Sequence, residues 1–347
     1  MIYLRWLLFP FSLLYGLVVV IRNWCYNAGI FKSRKFELPV VAVGNLDVGG
    51  AGKSPMTEYL IRLFKDNYRL ATLSRGYGRT TKGFVMASAE SKASDIGDEP
   101  AQFKHKFSGI DVAVCEKRVE GVERLKNDHD VIILDDAYQH RAVKPGFSIL
   151  LFDHSRMRQP RLLLPAGNLR EPFAGRKRAD VIVISKCPSA LTQDEQNHII
   201  ERIKPYPHQQ LFFTSISYLP LYHIAGTPAD DTIDADTTVF VLTGIANPVP
   251  LLSHLKKQTR HIIHHNYPDH HRFSLKNISK LADDFLGCTS QKKLIITTEK
   301  DAQRLGEQEL LPLVNKLPFL VLPIGINFIN DTQQQFDELV HTYVRKY

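Results

Sequence analysis

From Trp6 to Ile21 the chain reads WLLFPFSLLYGLVVVI, sixteen residues without a charge, bracketed by Arg5 and Arg22 and followed by Lys32, Arg34 and Lys35. A helix that crosses a bilayer needs roughly 20 apolar residues, so the run is short for a span. Its basic flanks suit a helix lying in the membrane interface with its cations on anionic head groups. A buried core helix of the first lobe and a true membrane span are the other readings open to it. No small-residue cleavage motif follows closely, which argues against a signal peptide. After the basic linker the pattern changes to short β-branched runs: LPVVAV over Leu38–Val43, then Ala71–Leu73, Val112–Val114, Val131–Leu134, Ser148–Phe152 and Val181–Ile184. Apolar runs of this length, spaced far enough apart for crossover helices, predict a doubly wound, mostly parallel α/β sheet with helices on both faces over residues 37–217. From about residue 205 a second set appears, LFFTSI, TTVFVLTGIA, KLIITTEKD and FLVLPIGINF, and predicts a smaller α/β lobe. Tyr218–Thr238, rich in Pro, Gly, Asp and Thr, reads as the connector. The chain thus divides into an N-terminal helix and linker (1–36), a first domain (37–217) and a smaller domain (218–347) closing over the cleft.

Composition changes this picture little. At 347 residues the chain is long enough to bury its cores without disulfides. Cys25, Cys115, Cys187 and Cys288 are far apart and form no CxxC pair, so a zinc knuckle or disulfide framework is not indicated and a reducing, cytoplasmic setting fits. The net charge of +8 points to an anionic partner without choosing among nucleic acid, lipid and phosphorylated substrate.

Chemistry enters at residues 47–54, Asp-Val-Gly-Gly-Ala-Gly-Lys-Ser, between the first strand and a helix. That is the context a phosphate-binding P-loop requires. Gly49, Gly50 and Gly52 let backbone amides turn toward phosphate oxygens, Lys53 reaches the β- and γ-phosphates, and Ser54 offers a hydroxyl to Mg²⁺. Val48 and Ala51 complete the loop. Asp47 departs from the usual pattern, which has glycine there, so its carboxylate must point away from the nucleotide. A P-loop also needs an acid at a neighbouring strand tip, and Asp130-Val-Ile-Ile-Leu-Asp135-Asp136 supplies two. Together these features predict a P-loop NTPase-like fold.

The sequence then resembles a known family, the tetraacyldisaccharide 4'-kinases of lipid A biosynthesis, along almost its whole length. The resemblance is carried by VAVGNLDVGGAGKSP (Val41–Pro55), LSRGYGR (Leu73–Arg79), GDEP (Gly97–Pro100), DDAYQH (Asp135–His140), LLPAGNLREP (Leu163–Pro172), LTGIANP (Leu242–Pro248), YPDHHRF (Tyr267–Phe273) and TTEKDAQRL (Thr297–Leu305). Ala137 stands where the family commonly has glycine, and Ser54 replaces the commoner threonine. The resemblance implies ATP- and Mg²⁺-dependent phosphorylation of the 4'-hydroxyl of a tetraacyl glucosamine disaccharide 1-phosphate. It also implies work at the cytoplasmic face of the inner membrane, peripheral or monotopic, with no nucleic acid and no obligate protein partner. Asp98 is then the expected base, partnered by His270 from the second lobe, so that closing the cleft assembles the pair. On sequence alone Asp98 reads equally as a helix cap before Glu99-Pro100.

Glu99 and Asp136 are candidates for the Mg²⁺ shell, with Asp135 close by. Arg75, Arg79, Arg118, Arg141 and Arg170 are candidates for the substrate's 1-phosphate and the charges of ATP, since a planar guanidinium holds phosphate at two points. Each is also open to being a solvated surface charge. Gln139, His140 and Glu171 are expected to shape the cleft. His264, His265, His270 and His271 lack metal-ligand spacing. Glu299, Lys300 and Asp301 are read as capping the following helix, with contact to adenine or ribose as the alternative. A GTPase-like P-loop protein would need a guanine-specific NKxD, and Ile184-Ser-Lys-Cys has no aspartate after its lysine. A nucleic-acid-binding ATPase would need interleaved aromatic and basic residues, which are not recognisable here.

Overall fold

The structure, a computed structural model, describes residues 7–347; Arg5 and Trp6 of the N-terminal run lie outside the described residues. The apolar run forms helix α1 (Phe9–Asn27), with Pro10 in the first turn, where no helical amide is lost. The β-branched runs become strands β1 (Val40–Asn45), β2 (Leu70–Ser74), β3 (Val85–Met86), β4 (Asp111–Val114), β5 (Val131–Leu134), β6 (Phe147–Asp153), β7 (Val181–Ser185) and β8 (Gln210–Tyr218). β1, β2, β5, β6 and β7 are buried throughout, as expected of strands covered on both faces. The helix after the glycine-rich loop, α2 (Lys53–Phe64), buries Met56, Leu60, Ile61 and Phe64 against Val41, Val43, Val131 and Ile133 of the sheet. Helix α3 (Asp98–Lys106) precedes β4 and packs Ala101 and Phe103 into the same core.

The second lobe is a smaller sheet of β9 (Tyr222–His223), β10 (Thr238–Thr243), β11 (Ile262–Asn266), β12 (Lys293–Thr297) and β13 (Phe319–Val321), in the order β11-β10-β12-β13-β9. All pairs are parallel except β13 with β9, which lies inside the stretch read from sequence as a connector. Helix α4 (Glu299–Leu305) follows β12 directly.

The end of the chain departs from the sequence division. β14 (Ile324–Phe328) leaves the second lobe and pairs antiparallel with β8, completing a nine-stranded sheet of order β14-β8-β7-β6-β1-β5-β2-β4-β3. The last helix, α5 (Gln333–Val344), then packs Phe336, Val340, Tyr343 and Val344 into the first core. LFFTSI and the GINF of FLVLPIGINF therefore belong to the large sheet. The reason is physical: β8 would otherwise be an exposed edge, and an unpaired edge is closed by whichever strand reaches it. A continuous apolar run, FLVLPIGINF, hides the fact that Pro323 breaks it into two strands in different sheets.

Candidate active site between the two lobes

Phosphate loop geometry is written in its carbonyls. Asn45 Nδ2 donates to the Asp47 carbonyl (2.8 Å), Arg156 to Val48, the Ala51 amide to Gly49 (3.1 Å), Lys186 to Gly50, and Ser185 Oγ to Ala51 (2.8 Å). Because a trans peptide points its N–H opposite its C=O, fixing the carbonyls outward turns the following amides inward. Among the described residues the amides of Gly49, Gly50 and Gly52 donate to no protein acceptor. Gly49 and Gly52 stand at φ of +95° and +80°, a region in which a side chain would be strained. The cradle opens on the N-terminus of α2, whose partial charge favours an anion. Burial pushes the Asp47 carboxyl above its ordinary range, against the pull of Arg156 and Arg170.

Lys53 Nζ lies 3.3 Å from Asn45 Oδ1 and 3.7 Å from Asp136 Oδ1. Asp135 is buried and accepts from Thr57 Oγ1 (3.0 Å); burial and the neighbouring Asp136 push its carboxyl up to about 6. Asp136 is pushed up by burial too, but Lys53 and Arg170 outweigh this and hold it below the usual range. Arg170 Nη2 pairs with Asp136 Oδ1 (2.9 Å) and also reaches Asn45 Oδ1. The buried Asp135 and the half-exposed Asp136, with Glu99 near enough to raise Asp135, are a donor set short of positive charge. That fits Mg²⁺, which binds through one or two carboxylates plus phosphates and water rather than an all-protein cage. Among the described residues no group of three or more His, Cys, Asp or Glu is poised as a cage.

Asp98 is the first residue of α3, after Gly97 at φ +97°, so the glycine rather than the aspartate occupies the cap position. Its Oδ2 meets His270 Nδ1 at 3.0 Å across the lobes. Burial would raise this carboxyl, yet hydrogen bonds from His270 and Arg304 and the Arg304 charge bring it down to about 2. The hydrogen bond to Asp98 raises His270 above its ordinary value. Of the other histidines in the cluster, His264 bonds Thr243 (2.7 Å) and His271 bonds Asn277 (3.1 Å), while His265 faces Asp284 (3.4 Å).

Residues expected on the substrate side divide in two. Arg118 is buried, and burial followed by Arg75 brings it down to about 10. His140 is brought down to about 4 by burial, Arg118, Arg22 and Arg75. The guanidinium groups of Arg22, Arg75 and Arg118 thus act on an imidazole that stays neutral, while Asp135 and Asp136 act on Arg118, whose Nη1 donates to the Cys115 carbonyl (2.8 Å). Arg79, Arg141, Glu171 and Gln139 are held by further protein contacts. Arg79 binds Glu116 (2.5 Å) and the Gly83 carbonyl (2.6 Å). Arg141 binds the end of α1 at the Asn23 carbonyl (2.8 Å) and Asn27 (2.7 Å). Glu171 is buried with Arg178 (2.8 Å) and Gln139 (3.0 Å), and Gln139 also binds the Asn45 carbonyl (2.9 Å). Sequence reasoning missed Asn45, Asn23 and Arg304 as site residues and read Arg22 only as a basic flank of the apolar run, whereas it donates to the Gln139 carbonyl (3.0 Å); Asn45 and Arg304 lie inside the quoted blocks, and nothing marked Asn23.

The cap expected at α4 is only partly as read. Thr298 caps it by accepting from the Asp301 amide (3.2 Å), and Asp301 accepts from Thr298 Oγ1 (2.7 Å). Glu299 and Lys300 instead cross to the first lobe, to Lys106 and to Glu99 (2.5 Å).

The model of the tetraacyldisaccharide-1-P 4'-kinase family matches residues 4–345. This chain belongs to that family. A tetraacyldisaccharide 4'-kinase of Phocaeicola vulgatus is 42% identical over 350 residues, covering 99% of this chain and 95% of that one. One from Parabacteroides distasonis is 44% identical over 347 residues, covering 97% and 94%. Among solved structures, "apo" form LpxK from Aquifex aeolicus in complex with ATP is 27% identical, with a TM-score of 0.75 over 98% of this chain and 99% of that one. The P-loop α/β fold and the kinase activity of the 4'-kinase family, a step of lipid A biosynthesis, are therefore those of this chain.

Proposed function

We propose that the cleft between the lobes transfers the γ-phosphoryl group of ATP to the 4'-hydroxyl of a tetraacyl disaccharide 1-phosphate with Asp98 as base. The observation that carries this is the Asp98–His270 contact at 3.0 Å, which joins a carboxylate one residue from Glu99 to a histidine of the other lobe. Inward amides of residues 49–54 and Lys53 bind the β- and γ-phosphates. Ser54, Asp135, Asp136 and Glu99 would hold Mg²⁺, whose charge, when bound, would offset that developing on the phosphoryl oxygens. The acceptor's O–H proton passes to the Asp98 carboxylate, assisted by His270, as the new O–P bond forms and the bond to the β-phosphate oxygen breaks; ADP leaves. An isolated Asp98 held near 2 is a weak base, so proton transfer follows bond formation, when the acceptor oxygen has become acidic.

The disaccharide lies beside α1, with its 1-phosphate on Arg75, Arg118 and His140, joined by Arg22. Its acyl chains stay in the membrane that α1 enters, at the cytoplasmic face of the inner membrane. α1 is long and apolar enough to cross a membrane by length and composition, and its exposed face suits an interfacial, monotopic seat equally. No protein partner is required for these steps. The test is turnover of Asp98→Asn: a fall of about 10³-fold or more with ATP affinity unchanged is expected, and turnover near that of the unaltered enzyme removes Asp98 from this role.

A further inference from the structure

Two helices from different lobes meet at the site, and polar side chains at both ends of each make the contact. At the start of α3, Asp98 faces Arg304 and Glu99 faces Lys300. Seven residues on, His105 Nδ1 lies 2.5 Å from Gln303 Oε1, and Lys106 pairs with Glu299 as well as with Glu58 of α2 (2.6 Å). The ion pairs between the two helices, Asp98–Arg304, Glu99–Lys300 and Lys106–Glu299, each join opposite charges, so the helices are charge-matched along their contact.

Arg304 does most at this interface. It is 6% exposed, and its guanidinium holds three oxygen acceptors at once, with Nη2 also 3.2 Å from His270 Nδ1. Nε and Nη2 donate to Asp98 Oδ2 (3.0 and 2.5 Å), while Nη1 donates to the Gly244 carbonyl (2.9 Å) and Asp301 Oδ1 (3.0 Å). The Gly244 carbonyl also accepts the amide of His270 (3.0 Å), a residue held at φ +58°. One side chain therefore fixes both the carboxylate and the strained turn that carries its histidine. Both Arg304 bonds to Asp98, and that of His270 Nδ1, fall on Oδ2; among the described residues none falls on Oδ1.

We propose that Arg304 is a positioning residue for phosphoryl transfer, and that α4 is the clamp that sets it. The guanidinium locks Oδ2 and the His270 turn into one unit, leaving Oδ1 to face the acceptor hydroxyl. The Glu299–Lys106 and Lys300–Glu99 pairs hold α4 at the height on α3 where this alignment exists. A lysine cannot replace the arginine here, because a single ammonium on a flexible stem does not span three acceptors in fixed directions. The inference rests on the role of Asp98 proposed above.

The test compares Arg304→Gln, Arg304→Lys and Asp98→Asn, and separately Lys106→Glu and Glu299→Lys alone and combined. Turnover is measured with ATP, Mg²⁺ and tetraacyl disaccharide 1-phosphate, and Mg²⁺·ADP affinity by calorimetry. Both Arg304 variants are expected to lose about 10²-fold in kcat, with KM for ATP and ADP affinity within about 2-fold. The single reversals, remote from the reacting atoms, are expected to cost about 10-fold in kcat, and their combination, which keeps the net charge of the cluster with Glu58, to recover most of it. Arg304→Lys turning over like the unaltered enzyme overturns the proposal, as does loss of kcat and ADP affinity together. A combined exchange no better than its parts overturns the clamp even where the Arg304 variants do not fold. Should Asp98→Asn itself stay active, the role of Asp98 fails; Asp98→Asn inactive beside an active Arg304→Gln rejects the role of Arg304 alone.

Discussion

Helices α1 and α2 both pack on the first lobe, and they turn opposite chemistry toward it. α2 behaves as a helix of a water-soluble domain: Met56, Leu60, Ile61 and Phe64 point into the core and Arg62 out. α1 is inverted. Ser12 Oγ binds the Leu163 carbonyl (3.1 Å) and the Ala166 amide (2.9 Å), Tyr15 the Arg170 carbonyl (2.7 Å), Arg22 the Gln139 carbonyl (3.0 Å) and Asn23 Glu171 (3.3 Å). Phe11, Leu14, Leu17, Val18, Ile21 and Trp24 each keep half or more of their surface exposed on the other side. Leaving large apolar side chains in water forgoes about 1.5–3 kcal/mol each. A patch of this extent therefore points to a second apolar medium. One domain thus carries a helix with its apolar face inward, α2, and one with its apolar face outward, α1; under the function proposed above the lipid's alcohol is delivered along α1.

Breaking the α2 side gives the largest effect. Lys53→Ala removes the cation beside Asp136 and is expected to lower turnover by about 10³-fold or more, while partition onto anionic vesicles stays unchanged in a sedimentation assay. Replacing Leu14, Leu17 and Ile21 together by serine is the converse: vesicle partition should fall by at least about 10-fold with ADP affinity intact. Equal partition of the two proteins would return α1 to the core-helix reading. Gly16→Phe acts on the docking face, since even a Cβ there would lie 2.7 Å from Leu163 Cδ1. It should raise KM for the lipid about 10-fold and leave KM for ATP unmoved, because the displaced contact lies on the lipid side of the loop.

The smallest effect is a titration. His140 is brought down to about 4 by burial first, then Arg118, Arg22 and Arg75. Its unfolded form takes up a proton near 6.5 while the folded form does not until about 4, so His140 withdraws stability as pH falls through that window. Deleting residues 1–27 removes Arg22 and part of the cover, and NMR should show the imidazole titrating closer to 6.5. An unmoved titration would mean that α1 does not shield this cluster.

How far the sequence could be read follows from the range over which each signal acts. Buried parallel strands announce themselves locally as β-branched runs, and β1, β5 and β7 lie where those runs predict them. Glycines before Lys53 and acids after β5 are likewise local. The return of β14 to the first sheet was illegible, because which edge a strand closes depends on where the rest of the chain has gone. The same holds at the site. Asp98 with His270 was found through a family resemblance rather than any pattern in the residues, and Arg304 was not singled out within TTEKDAQRL. Its three acceptors, Asp98, Gly244 and Asp301, come together only after both lobes have folded.

The most direct measurement is the mass of the lipid product after incubation of tetraacyl disaccharide 1-phosphate with ATP and Mg²⁺, using the intact enzyme and Asp98→Asn side by side. One added phosphate at the 4'-position with the intact enzyme, and unaltered lipid with the variant, is the predicted result. A lipid returned unphosphorylated by the intact enzyme, or phosphorylated equally by both, would contradict the account.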